Sequence, residues 1–486
     1  MYAGGFVTDP ARTGLRFNTK LAYGVGQAAE GIKAAAFTIF LLFYFNNVLG
    51  LGPVLTGAAL MIALVFDAIT DPLVGSWSDS LRHKWGRRHP LMYLSALPLA
   101  ISFALVFNPP SGLGQVGLFL WLTGFSIATR AAMSLYFVPH LALGAELSND
   151  YHERTSIVAF RTFFAYFGGG VLIFVAFVVF FQPTDLYKNG QLNPAGYPGF
   201  GVLFGGLMAV SVLLSAWGTH HCIPDLPKPA DSQRFSLRGV WANTFSALGN
   251  KQFRMFFIGI VIYFVARGIE HVLLLHMGTY FWKLPTAQIK YIPLLALSGV
   301  LIGAPLWSVL GRRIEKKPMF LLGIIVFSVI VAGLPGAKMI GAYPGQDSPM
   351  YLGLLLGLSF VGGLAGAAAL VAAGSMLADI TDVHELQTGT RQEGIFFGVL
   401  AFAGKAASGL GSQLAGLGLK WADFPSKAEP GTVPESKVMM LGLVYGPGVL
   451  IVSFIAIAFL WRFDLDKQAH AKVRAELDRR AAEAKA

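Results

Sequence analysis

The sequence predicts an all-α membrane protein of about twelve transmembrane helices in two six-helix bundles, and three observations carry that prediction. First, 55% of the 486 residues are hydrophobic and only 13% charged, with a mean hydropathy of +0.59; a water-soluble domain has no use for so much apolar surface. Second, apolar runs long enough to span a bilayer, at about 20 residues each, recur near 21–49, 54–78, 91–108, 116–146, 156–182, 199–219, 253–281, 292–311, 318–337, 350–378, 395–419 and 437–462. Third, the connection after the second run, with Gly86, Arg87, Arg88 and Pro90, has a weaker echo after the eighth in Gly311, Arg312, Arg313 and Pro318. Such an echo implies a parallel internal repeat.

The formal charge of +11 does not point to nucleic acid, because the Lys and Arg residues gather in alternate connections, as the positive-inside rule expects. These are the N-terminal segment (Arg12, Arg16, Lys20), the second-to-third connection, the central linker, the eighth-to-ninth connection and the tail. Both termini are therefore expected in the cytoplasm, and no cleaved signal peptide is evident. The expected divisions are residues 1–221, a Pro-rich and basic linker 222–252, residues 253–463 and a charged tail 464–486. The lone Cys222 excludes an intrachain disulfide. Its neighbours His220 and His221 read as a polar helix end, since three consecutive residues cannot all face one ion on a regular helix.

In the first span, Gly24, Gly26 and Ala29 match a dinucleotide-binding pattern, but that fingerprint needs a preceding strand. Close helix packing is the better reading. Glu30 and Lys33 share one helical face inside the hydrocarbon, either as a self-neutralising pair or as a gating or substrate contact. The second span holds Asp67 and Asp71, one turn apart after the apolar run 58–66. Buried carboxylates at that depth mark an ion or substrate pathway. Asp79, Arg87 and Arg88 follow at the membrane edge, where they can pair with other helix ends.

The fourth span carries Arg130 near mid-membrane and Ser134, and the turn that follows holds Glu146, Asp150, Glu153 and Arg154, read as an interhelix lock. Arg161 opens the fifth span, and 183–197 is an external loop. Arg267, Glu270, His271 and His276 share the seventh span, with Arg267 and Glu270 spaced to pair. His271 is either a satisfied core histidine or a proton relay. Asp379, Asp382, Glu385, Arg391 and Glu393 crowd the turn before the eleventh span. Inside that span, Lys405 has no acidic partner on its own helix, so it needs a carboxylate on another helix or an anionic substrate.

Several ordered motifs together resemble the glycoside-pentoside-hexuronide cation symporters of the major facilitator superfamily. They are Asp67-Ala-Ile-Thr-Asp71-Pro72, Gly75 with Asp79, Gly86-Arg87-Arg88 with Pro90, Pro139-His140-Leu141 with Glu146-Leu147, Asp150-Tyr151 with Glu153-Arg154-Thr155, Arg161, and, in the second half, Asp379, Asp382, Glu385, Gly389, Arg391 and Lys405. The resemblance covers almost the whole chain. It implies the major facilitator fold, a central cavity with alternating access, and Na⁺ or H⁺ driving solute uptake in a bacterial inner membrane. By position, Asp67 and Asp71 are similar to the family's cation carboxylates, with Thr70 and Ser134 as neighbouring oxygens. Lys405 resembles the lysine that links cation and sugar sites, and Arg161 the arginine at the sugar. The family's sugar-gripping acids are replaced by Gly31 and Phe137, and its sugar-stacking tryptophan by Leu141. With Lys33, Arg130 and Arg267 adding positive charge, an anionic glycoside or hexuronide is expected, with any apolar part against Phe137 and Leu141. The lysophospholipid symporters of animals resemble the same pattern, which keeps an amphipathic substrate open.

No nucleophile with an adjacent base, metal cluster or phosphate loop stands in a context that supports an enzyme, and no organic cofactor is expected. A membrane sensor would leave the cavity charges unexplained. The partners expected are a small-molecule substrate and membrane lipid, with the chain acting as a monomer. With Cys222 replaced, a cysteine introduced near Lys188 is expected to react with an impermeant thiol reagent from outside and one near Arg234 is not; the reverse labelling pattern would invert the topology.

Overall fold

The structure is a computed structural model, and it describes residues 15–148, 150–226, 249, 251–311, 313–389 and 393–483. The first half contains α1 (Phe17–Val48), α2 (Pro53–Ser80), α3 (His89–Val106), α4 (Gln115–Glu146), α5 (Tyr151–Val175, with a further turn to Phe180) and α6 (Gly196–Gly218). The second contains α7 (Lys251–Phe281), α8 (Thr286–Leu310), α9 (Lys316–Met339), α10 (Pro349–Thr388), α11 (Glu393–Trp421) and α12 (Glu435–Trp461). Among the described residues, eleven of these helices are long and apolar enough to cross a membrane. The twelfth is α11, whose 29 residues include Lys405.

The repeat expected from the basic connections is visible in the packing. In the first half α1 packs on α5 and α6, α3 on α4 and α6, and α2 on α4; six helices later α7 packs on α11 and α12, α9 on α10 and α12, and α8 on α10. The interface between the halves obeys the same shift, with α2 against α11 and α8 against α5. Small residues permit these approaches, since in lipid it is close packing rather than water exclusion that holds helices together. A Cβ at Gly31 would overlap the Ala165 carbonyl of α5, and one at Gly268 of α7 would stand 3.1 Å from Gly411 Cα of α11. The first-span glycines follow suit: a Cβ at Gly26 would run into the Tyr136 hydroxyl and Ser215.

At the end of the bundle that carries the connections after α1, α5, α7 and α11, hydrogen bonds tie the halves together. Asn46 Nδ2 donates to Ser426 Oγ (3.0 Å) and Asn47 Nδ2 to the Tyr280 hydroxyl (2.9 Å). Gln191 Nε2 donates to Thr279 Oγ1 (3.0 Å), and Thr286 Oγ1 to Gln191 Oε1 (2.8 Å). Five-residue π-helical turns occur there in α1, α5, α7 and α12. Such turns tend to mark functional segments of a helix.

The linker lies mostly outside the described residues, as does Arg391. The tail is more than a charged extension. Residues Lys467–Glu483 form a helix, α13, held to the end of α10 by His470 Nε2 at 3.0 Å from Asp382 Oδ2 and by Arg480 Nη1 donating to the Leu386 carbonyl at 3.0 Å.

Gly31 stands where the resemblance would place a first-span acid, and its backbone contact with α5 leaves no room for one. Gly31→Asp is expected to lower the thermal unfolding midpoint of the purified protein through overpacking of about 1–3 kcal/mol. Gly353→Ala, where a Cβ meets nothing within 4 Å, should leave the midpoint unchanged or raise it.

Candidate cation and substrate site

The site is built where α2, α4 and α11 meet. Asp67 is 2% exposed, and the two carboxylates project from one face of α2 because they are a turn apart. Ser134 of α4 stands between them, its Oγ 3.0 Å from Asp67 Oδ1 and 2.6 Å from Asp71 Oδ1. On the other side, Asp67 Oδ2 faces Arg130 Nη1 at 3.3 Å and Lys405 Nζ at 3.0 Å. Lys405 also binds Asp71 Oδ2. Arg130 rests over the Phe37 ring at 5.2 Å. Two anions thus meet two cations in a place where an unpaired charge costs several kcal/mol.

The donor set suits a hard monovalent cation, which prefers oxygen ligands. Besides the carboxylates and the Ser134 hydroxyl, Pro72 has no N–H to give the Ala68 carbonyl one turn back, which frees a backbone oxygen beside Asp67. The Thr70 hydroxyl, expected as a further ligand, donates to the Asp67 carbonyl of its own helix at 3.1 Å, which leaves its oxygen lone pairs free to accept. Its position on α2 explains this: a threonine in a helix readily bonds the preceding turn.

A central cavity of about 960 Å³ begins at this site and takes in Glu30, Lys33, Arg130, Arg267, Glu270, His271 and Lys405. Lys33 and Glu30 pair at 2.8 Å. On α7, Arg267 Nη1 lies 3.1 Å from Glu270 Oε2, and the guanidinium stacks on Phe327 at 4.1 Å. The apolar wall is built chiefly by the second half, from Phe264, Phe327, Ile330, Val331, Leu334 and Leu355. This corrects the expected placing of the apolar subsite at Phe137 and Leu141. Those two residues lie about 10–17 Å further along α4 than Arg130, at 1.5 Å per residue, and they do not line this cavity. Nor does Arg161, which sits beside Tyr23 and His140. Lys405, read from the sequence as a charge in need of a partner, and Arg130, read as positive charge suited to an anionic solute, both pair on α2.

Several of the residues expected as interhelix locks pair within a half. Arg88, almost fully buried, binds Asp79 Oδ1 (2.7 Å) and Glu146 Oε1 (2.6 Å), and Arg87 Nη2 reaches the same Glu146 oxygen at 2.8 Å. The repeat-related position in the second half is filled by Lys316, 2.7 Å from Asp379 Oδ2. Arg154 Nε donates to the Ser148 carbonyl at 2.7 Å, and Glu385 lies in the last turn of α10, which Gly389 closes with a φ of 70°. Lys316, His470 and the second-half aromatic wall escaped the sequence reading. A lysine at a helix start or an aromatic in an apolar run carries no signal until the partner helix is placed.

Two repeat-related bundles around a central cavity, with an ion-pair site that joins one half to the other, define a secondary active transporter of the major facilitator fold. The comparisons agree. The model of the MFS/sugar transport protein family matches residues 22–467, and the chain belongs to that family, among its glycoside-pentoside-hexuronide symporters. An uncharacterised symporter of Synechocystis is 25% identical over 94% of this chain and 97% of its own. The isoprimeverose transporter of Lactiplantibacillus pentosus is 22% identical over 82% and 79%, and a sodium-dependent lysophosphatidylcholine symporter of Danio rerio 23% identical over 91% and 84%. In fold the chain is similar to the inward-open xylose transporter of E. coli, with a TM-score of 0.61 at 16% identity over 94% of this chain and 99% of the other. The protein is an integral multi-pass symporter rather than an enzyme.

Lys405→Ala removes the second-half cation from Asp67 and Asp71. Its unfolding midpoint in choline chloride should fall below that of the unaltered protein, and if the pair holds Na⁺, sodium chloride should restore more stability than it gives the unaltered protein, because the ion then meets no competing ammonium. Equal sodium effects on both proteins would remove Asp67 and Asp71 from the cation site.

Proposed function

We propose that the protein is a cation-coupled symporter, with Na⁺ as the coupling ion, of an anionic glycoside-like solute, working by alternating access in a bacterial inner membrane with both termini in the cytoplasm. The observation that carries this reading is Lys405 of the second half bound to both carboxylates of the first. A cation entering between Asp67, Asp71 and Ser134 brings the same single charge as the ammonium it displaces, so the carboxylates stay neutralised while Lys405 is released toward the cavity. Arg130, already shared with Asp67, is loosened in the same exchange. Both then need an anion, since leaving them unpaired in a poorly solvated place costs several kcal/mol. A carboxylate, sulfate or phosphate on the solute relieves that cost, whereas a neutral sugar does not. In this topology the tied end of the bundle is external, and the structure is closed to the outside.

The apolar wall from Phe264 to Leu355 favours a second reading, in which the anion carries a long apolar tail, as a lysophospholipid does. The role of the Danio rerio relative named above supports it.

Asp67→Asn and Asp71→Asn are each expected to abolish ion-driven accumulation in vesicles while leaving measurable ligand binding, because either change removes much of the field that holds a partly dehydrated cation. Thermal stabilisation by phenyl glucuronide, a neutral disaccharide and a lysophospholipid, each with and without Na⁺, tests the solute class. Stabilisation by the disaccharide alone, unaffected by Lys405→Ala, would overturn the charge argument.

A further inference from the structure

In the wall of the same cavity, Arg267, Glu270 and His271 of α7 form a cluster whose geometry fixes a protonation state. Arg267 Nη2 lies 2.9 Å from His271 Nε2. A guanidinium has donors only, so Nε2 must accept, and His271 is neutral with its proton on Nδ1. Glu270 Oε2 stands 3.6 Å from that same Nε2. Although 3.1 Å from Arg267 Nη1, this oxygen is buried and makes no hydrogen bond among the described residues. The imidazole itself is open to the cavity, its side chain 40% exposed. One nitrogen therefore sits between a cation that occupies it and a carboxylate oxygen that has nothing to accept.

We propose that this cluster is a proton-binding site that switches Arg267 between a self-paired and an anion-receiving state. It rests on the reading of the solute as an anion. A proton from cavity water adds to the Nε2 lone pair, which gives the imidazolium two N–H groups and no acceptor. Arg267 Nη2 then loses its partner, and Nε2–H turns to Glu270 Oε2. The cluster passes from net neutral to a charge of plus one, and the positive member left facing the cavity is Arg267, still stacked on Phe327. The groups that surround it do not cancel this charge. They are the neutral hydroxyls of Tyr263 of α7, Tyr166 of α5 and Tyr445 of α12, with Lys405 of α11 and the self-paired Glu30 and Lys33 of α1 lining the same cavity. Proton and anion should therefore bind with positive coupling, reciprocal by linkage. This charge step belongs to the second half alone and is separate from the exchange at Asp67 and Asp71.

The full-length protein in detergent, with phenyl glucuronide as the probe, tests this in two ways. Calorimetry in buffers of different ionisation enthalpy should show uptake of about one proton per glucuronide bound, and affinity should rise toward tenfold per unit fall in pH while His271 is neutral. His271→Gln, which can still accept from Arg267, should bind the probe with no proton uptake and a flat pH profile. Asp67→Asn should lose the sodium dependence and keep the proton uptake. Binding without proton uptake in the unaltered protein, or uptake that persists in His271→Gln, would overturn the site. Independently of any ligand, ¹⁵N spectra of histidine-labelled protein, with the His271 signals identified by their absence in His271→Gln, should show a bare, accepting Nε2 at high pH that gains a proton as pH falls. An Nε2 already protonated at high pH, or one that stays bare down to pH 5, would also overturn it. If glucuronide fails to bind while His271 titrates as expected, the anionic-solute reading fails and the proton site stands.

Discussion

The structure depends on how charge is neutralised where water is scarce. Asp67 and Asp71 cannot stay ionised at that depth without cations, and the chain supplies one from each half: Arg130 from α4 and Lys405 from α11. Because the second comes from the other bundle, the electrostatic demand of α2 is also a tether between halves. Under the proposed symport, an ion that satisfies the carboxylates weakens that tether and so links ion binding to movement.

The same logic recurs at each level of charge in the cavity. Glu30 is answered by Lys33 three residues on, and Glu270 by Arg267 three residues back. These local pairs form within single helices and need no tertiary contact. The pair at α2 differs in that its partners are distant in sequence, and so its neutralisation depends on the conformation of the whole protein. Small residues make such contacts possible: α1 reaches α5 through Gly31, α7 reaches α11 through Gly268 and Gly411, and α2 reaches α11 where a Cβ on Gly57 would lie 2.8 Å from the Ser412 carbonyl.

The Asp67 and Asp71 pair was legible because an aspartate in an apolar run is improbable without a function, and a four-residue spacing on a helix fixes their shared face. Arg130, Lys405 and the α7 cluster announced themselves for the same reason. The cavity wall was not legible. Phe137 and Leu141 looked suitable as an apolar subsite by position alone, yet the apolar wall belongs to Phe264, Phe327 and their neighbours, since every span is apolar and hydropathy cannot distinguish a side chain that faces lipid from one that faces a cavity.

By itself, then, the sequence determined the membrane class, the number of spans, the repeat and the identity of the charged residues, because hydropathy, loop charge and the cost of burying an ion all act through composition and local spacing. Tertiary structure decided which charges pair across the halves, which helix faces line the cavity and which hydroxyl reaches the carboxylates. Those outcomes depend on the rotation and approach of helices hundreds of residues apart, as the distance from Asp71 to Lys405 along the chain shows, and no local pattern encodes a helix's rotation about its own axis when all of its faces are apolar.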